Sequence, residues 1–292
     1  MSDADEGLDR PVTALDALPA GASMLARAAA TALRRPKGEP RLEPAGVRVR
    51  AVAADAEGLA AYRRVCGLRR ETTLPLTYPH VMVEALQLWL MSRPGFPLPM
   101  LGLVHLANRF EQDEAIPVEA RLDFTVWLGN AERTARGFEF EVVTEAAAPD
   151  GHRLWRGVST YLYRIATPGP HAHGEHPALP TLDRYEPIEV PAATGRRYAA
   201  VSGDYNPIHL SLLSARLFGF KRAIAHGMWS AARCLGALQE AHGVAASRLQ
   251  VRFRQPLLLP ANAQLRSRED GDGVEFLLVG KHDRLYLEGR LG

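Results

Sequence analysis

Residues 224–238 read IAHGMWSAARCLGAL, and residues 78–92 read YPHVMVEALQLWLMS. Each carries His-x-Met, as His226-Gly227-Met228 and His80-Val81-Met82, at the start of an apolar stretch long enough to form a helix. Downstream, Arg252-Phe253-Arg254-Gln255 leads to Leu259-Pro260, and Arg109-Phe110-Glu111-Gln112 leads to Ile116-Pro117. Both copies therefore read Arg-Phe-x-Gln, three residues, an apolar residue, proline. Matched features in the same order argue for duplication, and the period is too long for a solenoid repeat, so two fused copies of one fold is the economical reading.

Around each helix lie segments that alternate with period two, the pattern of a strand with one buried face. Leu122, Phe124, Val126 and Leu128 alternate in this way, as do Phe138, Phe140 and Val142, and in the second copy Leu249, Val251 and Phe253. An apolar helix must bury itself, and the large apolar surface nearby is the concave face of those strands. The expected fold class is α+β: two curved antiparallel sheets side by side, each wrapped around a central helix.

Residues 167–180, TPGPHAHGEHPALP, are rich in proline and glycine and mark a linker. The expected organisation is an N-terminal extension over residues 1–46 with an Ala-rich helix near 22–33, a first copy over 47–166, the linker, and a second copy over 181–292. His171, His173 and His176 in the linker have no carboxylate or cysteine arranged around them for tetrahedral ligation, so no metal is expected.

The 292 residues carry 35 Lys and Arg against 33 Asp and Glu, and the charges are scattered. No basic stripe or charged tail points to nucleic acid or a membrane surface, which makes a small-molecule substrate the better expectation. The 2 cysteines, Cys66 and Cys234, lie in unrelated sequence and suit a reducing cytoplasm. The acidic start is unlike an export signal, and no apolar run approaches the roughly 18 residues of a spanning helix. Phosphate-loop, dinucleotide-binding and nucleophile-elbow patterns were not found.

Chemistry concentrates in residues 198–229, YAAVSGDYNPIHLSLLSARLFGFKRAIAHGMW. Ser202-Gly203-Asp204-Tyr205-Asn206-Pro207-Ile208-His209 is dense in turn formers and reads as a loop before a short helix over 210–218. Any single member has a plain alternative, an Asx-type turn bonding local amides. Together, a carboxylate and an imidazole five positions apart across a turn are able to face one water, which is the arrangement of paired acid and base catalysis. Gly227 stands where the apolar helix begins, so its amide is an unpaired helix-terminal donor suited to an oxyanion. Arg196-Arg197 and Lys221-Arg222 are candidate contacts for carrier phosphates, with solvated surface as the alternative.

This stretch resembles the hydratase 2 motif of the MaoC-like dehydratases, the (R)-specific enoyl-CoA hydratases. The resemblance rests on Ser202-Gly203-Asp204, Asn206-Pro207-Ile208-His209 and His226-Gly227-Met228, and extends to Val251-Arg252-Phe253, Pro256 and Pro260-Ala261. The first half resembles the degenerate copy of double-hotdog members. The resemblance implies the hotdog fold, reversible hydration of a trans-2-enoyl thioester to a (3R)-hydroxyacyl thioester, and no cofactor. Its implied roles are Asp204 and His209 as the catalytic pair, Asn206 as their orienting partner and Gly227 as the oxyanion amide, with Ser202, Gly203, His226 and Met228 near the substrate. Ala232 stands where some relatives have a serine.

The first copy has Val81 at the Gly227 position and lacks Asp-x-Asn-Pro-x-His, so it is expected to be silent and to shape the acyl site. The implied partner is an acyl-CoA or acyl-carrier-protein thioester. Rival readings are a hotdog thioesterase and a non-catalytic acyl-binding subunit. A homodimer and a self-sufficient monomer both satisfy the sheet edges.

Overall fold

The computed structural model describes residues 10–34, 36, 38–165 and 179–292. The linker histidines His171, His173 and His176 lie outside the described residues.

The alternating segments pair as read. In the first half, β2 (Gly46–Ala53), β3 (Val104–Gln112), β4 (Arg121–Thr134), β5 (Gly137–Ala147) and β6 (Arg153–Arg164) lie in the order β2-β4-β5-β6-β3. In the second half, β7 (Arg184–Val190), β8 (Arg248–Phe253), β9 (Ala261–Asp270), β10 (Gly273–Val279) and β11 (Leu285–Leu291) lie in the order β7-β9-β10-β11-β8. Each half therefore places its first, third, fourth, fifth and second strands side by side. The halves join through their equivalent second strands, β3 and β8, which pair antiparallel with Asn108 opposite Val251. Two open edges become one continuous sheet, which removes a row of unpaired backbone groups.

The segments leading into the two central helices are also equivalent. Thr73 bridges to Pro117 and Ile224 to Leu258, each pair tying the approach to the helix to the proline-containing marker.

The second central helix, α7 (Gly227–His242), runs unbroken and buries nearly every side chain from Met228 to Leu238. A helix apolar on all sides belongs inside a core. Its counterpart differs from the single helix expected. It divides at Val83, whose φ of −127° lies outside the helical range, into α3 (Tyr78–Met82) and α4 (Glu84–Ser92). Gln87 spans the break, its Nε2 standing 3.2 Å from Nδ1 of His80.

The N-terminal extension is less separate than expected. It contributes β1 (Val12–Leu15), which pairs parallel to β2, and α1 (Gly21–Ala30), which packs on α4. Arg34, just beyond it, donates to the carbonyls of Ser92 and Phe96. A further helix, α2 (Ala56–Cys66), is capped by the Asp55 carboxylate and ends at Gly67 in the left-handed region. It meets α7 through Trp229, whose indole donates to the Val65 carbonyl at 3.0 Å. Each half of this continuous sheet is accompanied by a central helix, the hotdog arrangement expected. Among the described residues no helix is long and apolar enough to cross a membrane.

Candidate active site

The site is built by one local path. Helix α5 (Thr194–Ser202) stops at Gly203, whose φ of +83° is the left-handed region that glycine enters without penalty. The chain then turns through Asp204 and Asn206 into a 3-10 turn at Pro207–His209. The Asn206 side chain accepts from the Ile208 amide, capping that turn, while the Asn206 amide donates to Asp204 Oδ1 at 3.0 Å. The helix expected over 210–218 is shorter, α6 (Leu212–Arg216), because Ser211 is extended and its hydroxyl caps the Ser214 amide. The path closes at His226, the residue before α7.

Three side chains converge. Donor atoms of Asp204, His209 and His226 all lie within 4.8 Å of one another. The imidazoles of His209 and His226 stack with centroids 3.6 Å apart. His226 Nε2 donates to the Asp204 carbonyl at 3.0 Å and stands 3.6 Å from Asp204 Oδ2. Its Nδ1 is buried without a hydrogen-bond partner among the described residues. His209 Nδ1 is 2.9 Å from the Ile224 carbonyl. A carbonyl only accepts, so Nδ1 carries the proton and Nε2 keeps its lone pair. Asp204 retains 30% side-chain exposure, which leaves its carboxylate reachable in otherwise buried surroundings.

A three-donor cluster invites the question of a metal. His226 Nε2 is committed as a donor to the Asp204 carbonyl, which leaves the carboxylate and His209 Nε2, too few protein ligands for a tetrahedral site.

Gly227 stands at the first position of α7, whose preceding residue, His226, makes no side-chain cap bond. Between buried His226 and Met228, Gly227 is only half-buried, and its amide at the helix N-terminus carries the partial positive charge of the helix dipole. A Cβ there would lie 2.9 Å from the Phe253 ring. Gly227→Ala is expected to lower kcat by roughly 10- to 100-fold, below the range for losing an oxyanion donor outright, because the ring is able to shift. Adding Phe253→Leu should restore part of the loss in the same assay.

The other residues expected near substrate have different surroundings. The Ser202 hydroxyl is turned to the Asp204 amide at 3.2 Å, and Gly203 supplies the turn. Met228 Sδ accepts from Asn108 Nδ2 at 3.4 Å, facing the first copy. His226, expected near the substrate, lies against Asp204 and His209.

Sequence reading missed the opposing wall, which comes from the first copy. His105 stacks on Tyr161 at 4.7 Å and meets Phe253 edge-on at 5.0 Å. Tyr161 donates to Gln87 Oε1 at 3.3 Å, and Asn108 donates to Ser159 at 3.0 Å. On α4, burial, then the Asp204 carboxylate, pushes the Glu84 carboxyl well above the ordinary range. The only advance signal was the copy alignment, which sets His80 against His226.

The electrostatics favour uncharged imidazoles. Burial, then the His209 ring, lowers His226 to about 3. Burial lowers His80 to about 4, and burial with His80 lowers His105 to about 3, both against the pull of Asp204. His209 is lowered by burial, opposed by Asp204 and the Ile224 carbonyl. Burial alone would raise Asp204, but His226, His209 and the Asn206 amide outweigh it and hold the carboxyl below its usual range. Between these depressed histidine values and the ordinary value near 6.5, the unfolded chain binds more protons than the folded one, so stability falls as pH drops through that window. Calorimetry at pH 7 and pH 5 should show a lower Tm at pH 5; an unchanged or higher Tm would contradict buried neutral imidazoles.

A surface cavity of about 790 Å³, lined in part by Arg222, Lys281, Arg284 and Tyr286, includes none of Asp204, His209, His226 or Gly227.

The family model for the MaoC-like domain matches residues 177–278. The chain is 36% identical over 267 residues to 3-hydroxyacyl-thioester dehydratase X of Mycobacterium tuberculosis, covering 89% of this chain and 93% of that protein. It superposes on the crystal structure of HtdX from the same organism with a TM-score of 0.72 and 32% identity, over 84% of this chain and 98% of that one. A MaoC-like dehydratase from Phytophthora capsici shares the fold, with a TM-score of 0.68 at 19% identity over 86% and 95% of the two chains. With the carboxylate–imidazole loop, the helix-terminal glycine and the paired hotdog halves in place, the chain belongs to the MaoC-like dehydratase family.

Proposed function

We propose that the chain is a hydro-lyase that reversibly hydrates trans-2-enoyl thioesters to (3R)-hydroxyacyl thioesters in fatty acid or related acyl metabolism. The observation that carries this reading is the gathering of Asp204, His209 and His226 within 4.8 Å, with His209 Nδ1 committed to the Ile224 carbonyl and His226 leading directly into Gly227 at the start of α7.

The two acceptors, Asp204 and His209 Nε2, together hold one water by its two hydrogens. As its oxygen adds to C3, His209 Nε2 takes a proton, and the electron pair moves from the C2–C3 bond toward the thioester oxygen. The Gly227 amide, at the positive end of α7, stabilises that enolate-like oxygen. The enolate then collapses, C2 takes the proton back from His209, and the imidazole is neutral again. Both groups are proton acceptors in this state; in this reading His209 Nε2 carries the shuttled proton and the Asp204 carboxylate holds the water. Asn206 acts as a positioning residue through its bonds to the loop.

The division of labour between the copies belongs to the same reading. Val81, buried where the second copy has Gly227, makes the first copy silent, and its wall of His105 and Tyr161 closes the acyl side of the cleft. A thioesterase would not require the Asp-x-Asn-Pro-x-His loop, and a silent subunit would resemble the first half. Free, buried Cys66 and Cys234 accord with a cytoplasmic setting.

Hydration of crotonyl-CoA and of a longer enoyl-CoA, followed at the enoyl absorbance and coupled to an (R)-specific dehydrogenase, tests the reading. Turnover with product passing to that dehydrogenase supports it. Thioester cleavage with release of thiol, or product accepted only by an (S)-specific enzyme, would overturn it.

A further inference from the structure

Among the described residues, seven large apolar side chains stand exposed, and five of them, Tyr205, Leu212, Leu213, Leu217 and Phe218, fall within one stretch of fourteen. Leu213 is 74% exposed and Leu217 85%. They lie one helical turn apart on the same face, since Leu217 keeps right-handed helical angles at the end of α6. Single exposed leucines are ordinary; a contiguous patch is a mark of an interaction surface.

The patch is fastened to the catalytic loop. The Ser214 hydroxyl donates to the Pro207 carbonyl at 2.6 Å, and the Ile224 amide donates to the Ile208 carbonyl at 3.1 Å. Tyr205 adjoins Asp204 itself.

The charge along this stretch is nearly all of one sign. From residue 190 to residue 239 the sole acidic side chain is Asp204, against Arg196, Arg197, Arg216, Lys221, Arg222 and Arg233. Arg196 and Arg222 bond to the carbonyls of Leu210 and Pro260, so their charge is not neutralised there.

We propose that this face docks an acidic carrier protein that presents the acyl thioester to the cleft. The inference rests on the hydratase reading above and names the form in which that substrate arrives. A small carrier such as CoA would use the cations but not the leucines. A second copy on a two-fold axis would set Arg216, Lys221 and Arg222 against their own equivalents, which like-charge repulsion disfavours. A five-residue helix is too short to lie in a lipid interface as an amphipathic anchor. An acidic protein surface with apolar side chains at its centre matches both features, since buried apolar anchors inside a charged rim are how such interfaces are built.

The test uses the full chain, a bacterial holo acyl carrier protein charged with a 3-hydroxyacyl group, and the CoA thioester of the same acyl group. Leu213→Asp/Leu217→Asp and Arg216→Glu/Lys221→Glu are compared with wild type in carrier binding by fluorescence anisotropy and in kcat/KM on both substrates. The expected result is saturable carrier binding weakened about 10- to 100-fold in both variants, with carrier KM raised to match; kcat/KM on the CoA thioester stays within about twofold of wild type in Leu213→Asp/Leu217→Asp, the variant that leaves the cations in place. Absent carrier binding by wild type, or equal losses on both substrates in Leu213→Asp/Leu217→Asp, overturns the proposal. A wild-type dimer by light scattering that Leu213→Asp/Leu217→Asp dissociates assigns the face to a second copy and overturns it. Carrier binding without turnover of either thioester leaves the docking face in place and sinks the hydratase reading instead.

Discussion

Asp204→Asn and His209→Ala are each expected to lower kcat for hydration by about 10³-fold while leaving Tm near that of wild type. The two changes remove different things. Asn in place of Asp204 keeps the shape and one oxygen, but loses the charge that holds water and opposes the desolvation of His209. Alanine in place of His209 removes the lone pair at Nε2 and the stacked ring beside His226. Because the pair acts on one water, the double variant should be little worse than the worse single one. Circular dichroism and calorimetry separate this from unfolding. Turnover within about tenfold of wild type in either single variant would refute the assignment.

Gly195→Ala should have the second-largest effect, although Gly195 touches no substrate. It lies on α5, where a Cβ would sit 2.0 Å from the His209 carbonyl oxygen and 3.1 Å from the carbonyl carbon. The obstacle is backbone, not the end of a flexible side chain, so either α5 or the 3-10 turn must move. Overpacking of this kind costs roughly 1–3 kcal/mol. A displacement approaching 1 Å at His209 would cost about 10²-fold in rate. The expected signature is a lowered Tm together with a kcat loss larger than any change in KM, read from calorimetry and steady-state kinetics. A variant with wild-type kcat would mean that the turn bearing His209 is not held by its contact with α5.

These expectations show which parts of the molecule are written locally. The candidate loop is legible because Asp204, Asn206 and His209 fall within six residues, and their turn is built from local bonds: an Asx contact, a capped 3-10 turn and a left-handed glycine. Duplication was legible for a similar reason, since the His-x-Met and Arg-Phe-x-Gln markers recur in order. The sheet confirms it through a strand order repeated in both halves.

Other features depended on distance. The break at Val83 interrupts a stretch that is apolar throughout, and His80 and Gln87 meet across it in the folded core. Strand β1 lies in a segment with little periodicity and exists because β2 offers it an edge.

What the sequence determined by itself is the fold class, the copy number and the loop that carries the carboxylate and the imidazole, because short-range turn chemistry and hydrophobic period encode them. Only the tertiary structure decided that His226 joins the pair by stacking on His209, that β3 and β8 fuse the copies, and that His105 meets Tyr161 and, from the other copy, Phe253. Such juxtapositions follow from burying two helices under one continuous sheet, a condition set by the whole chain.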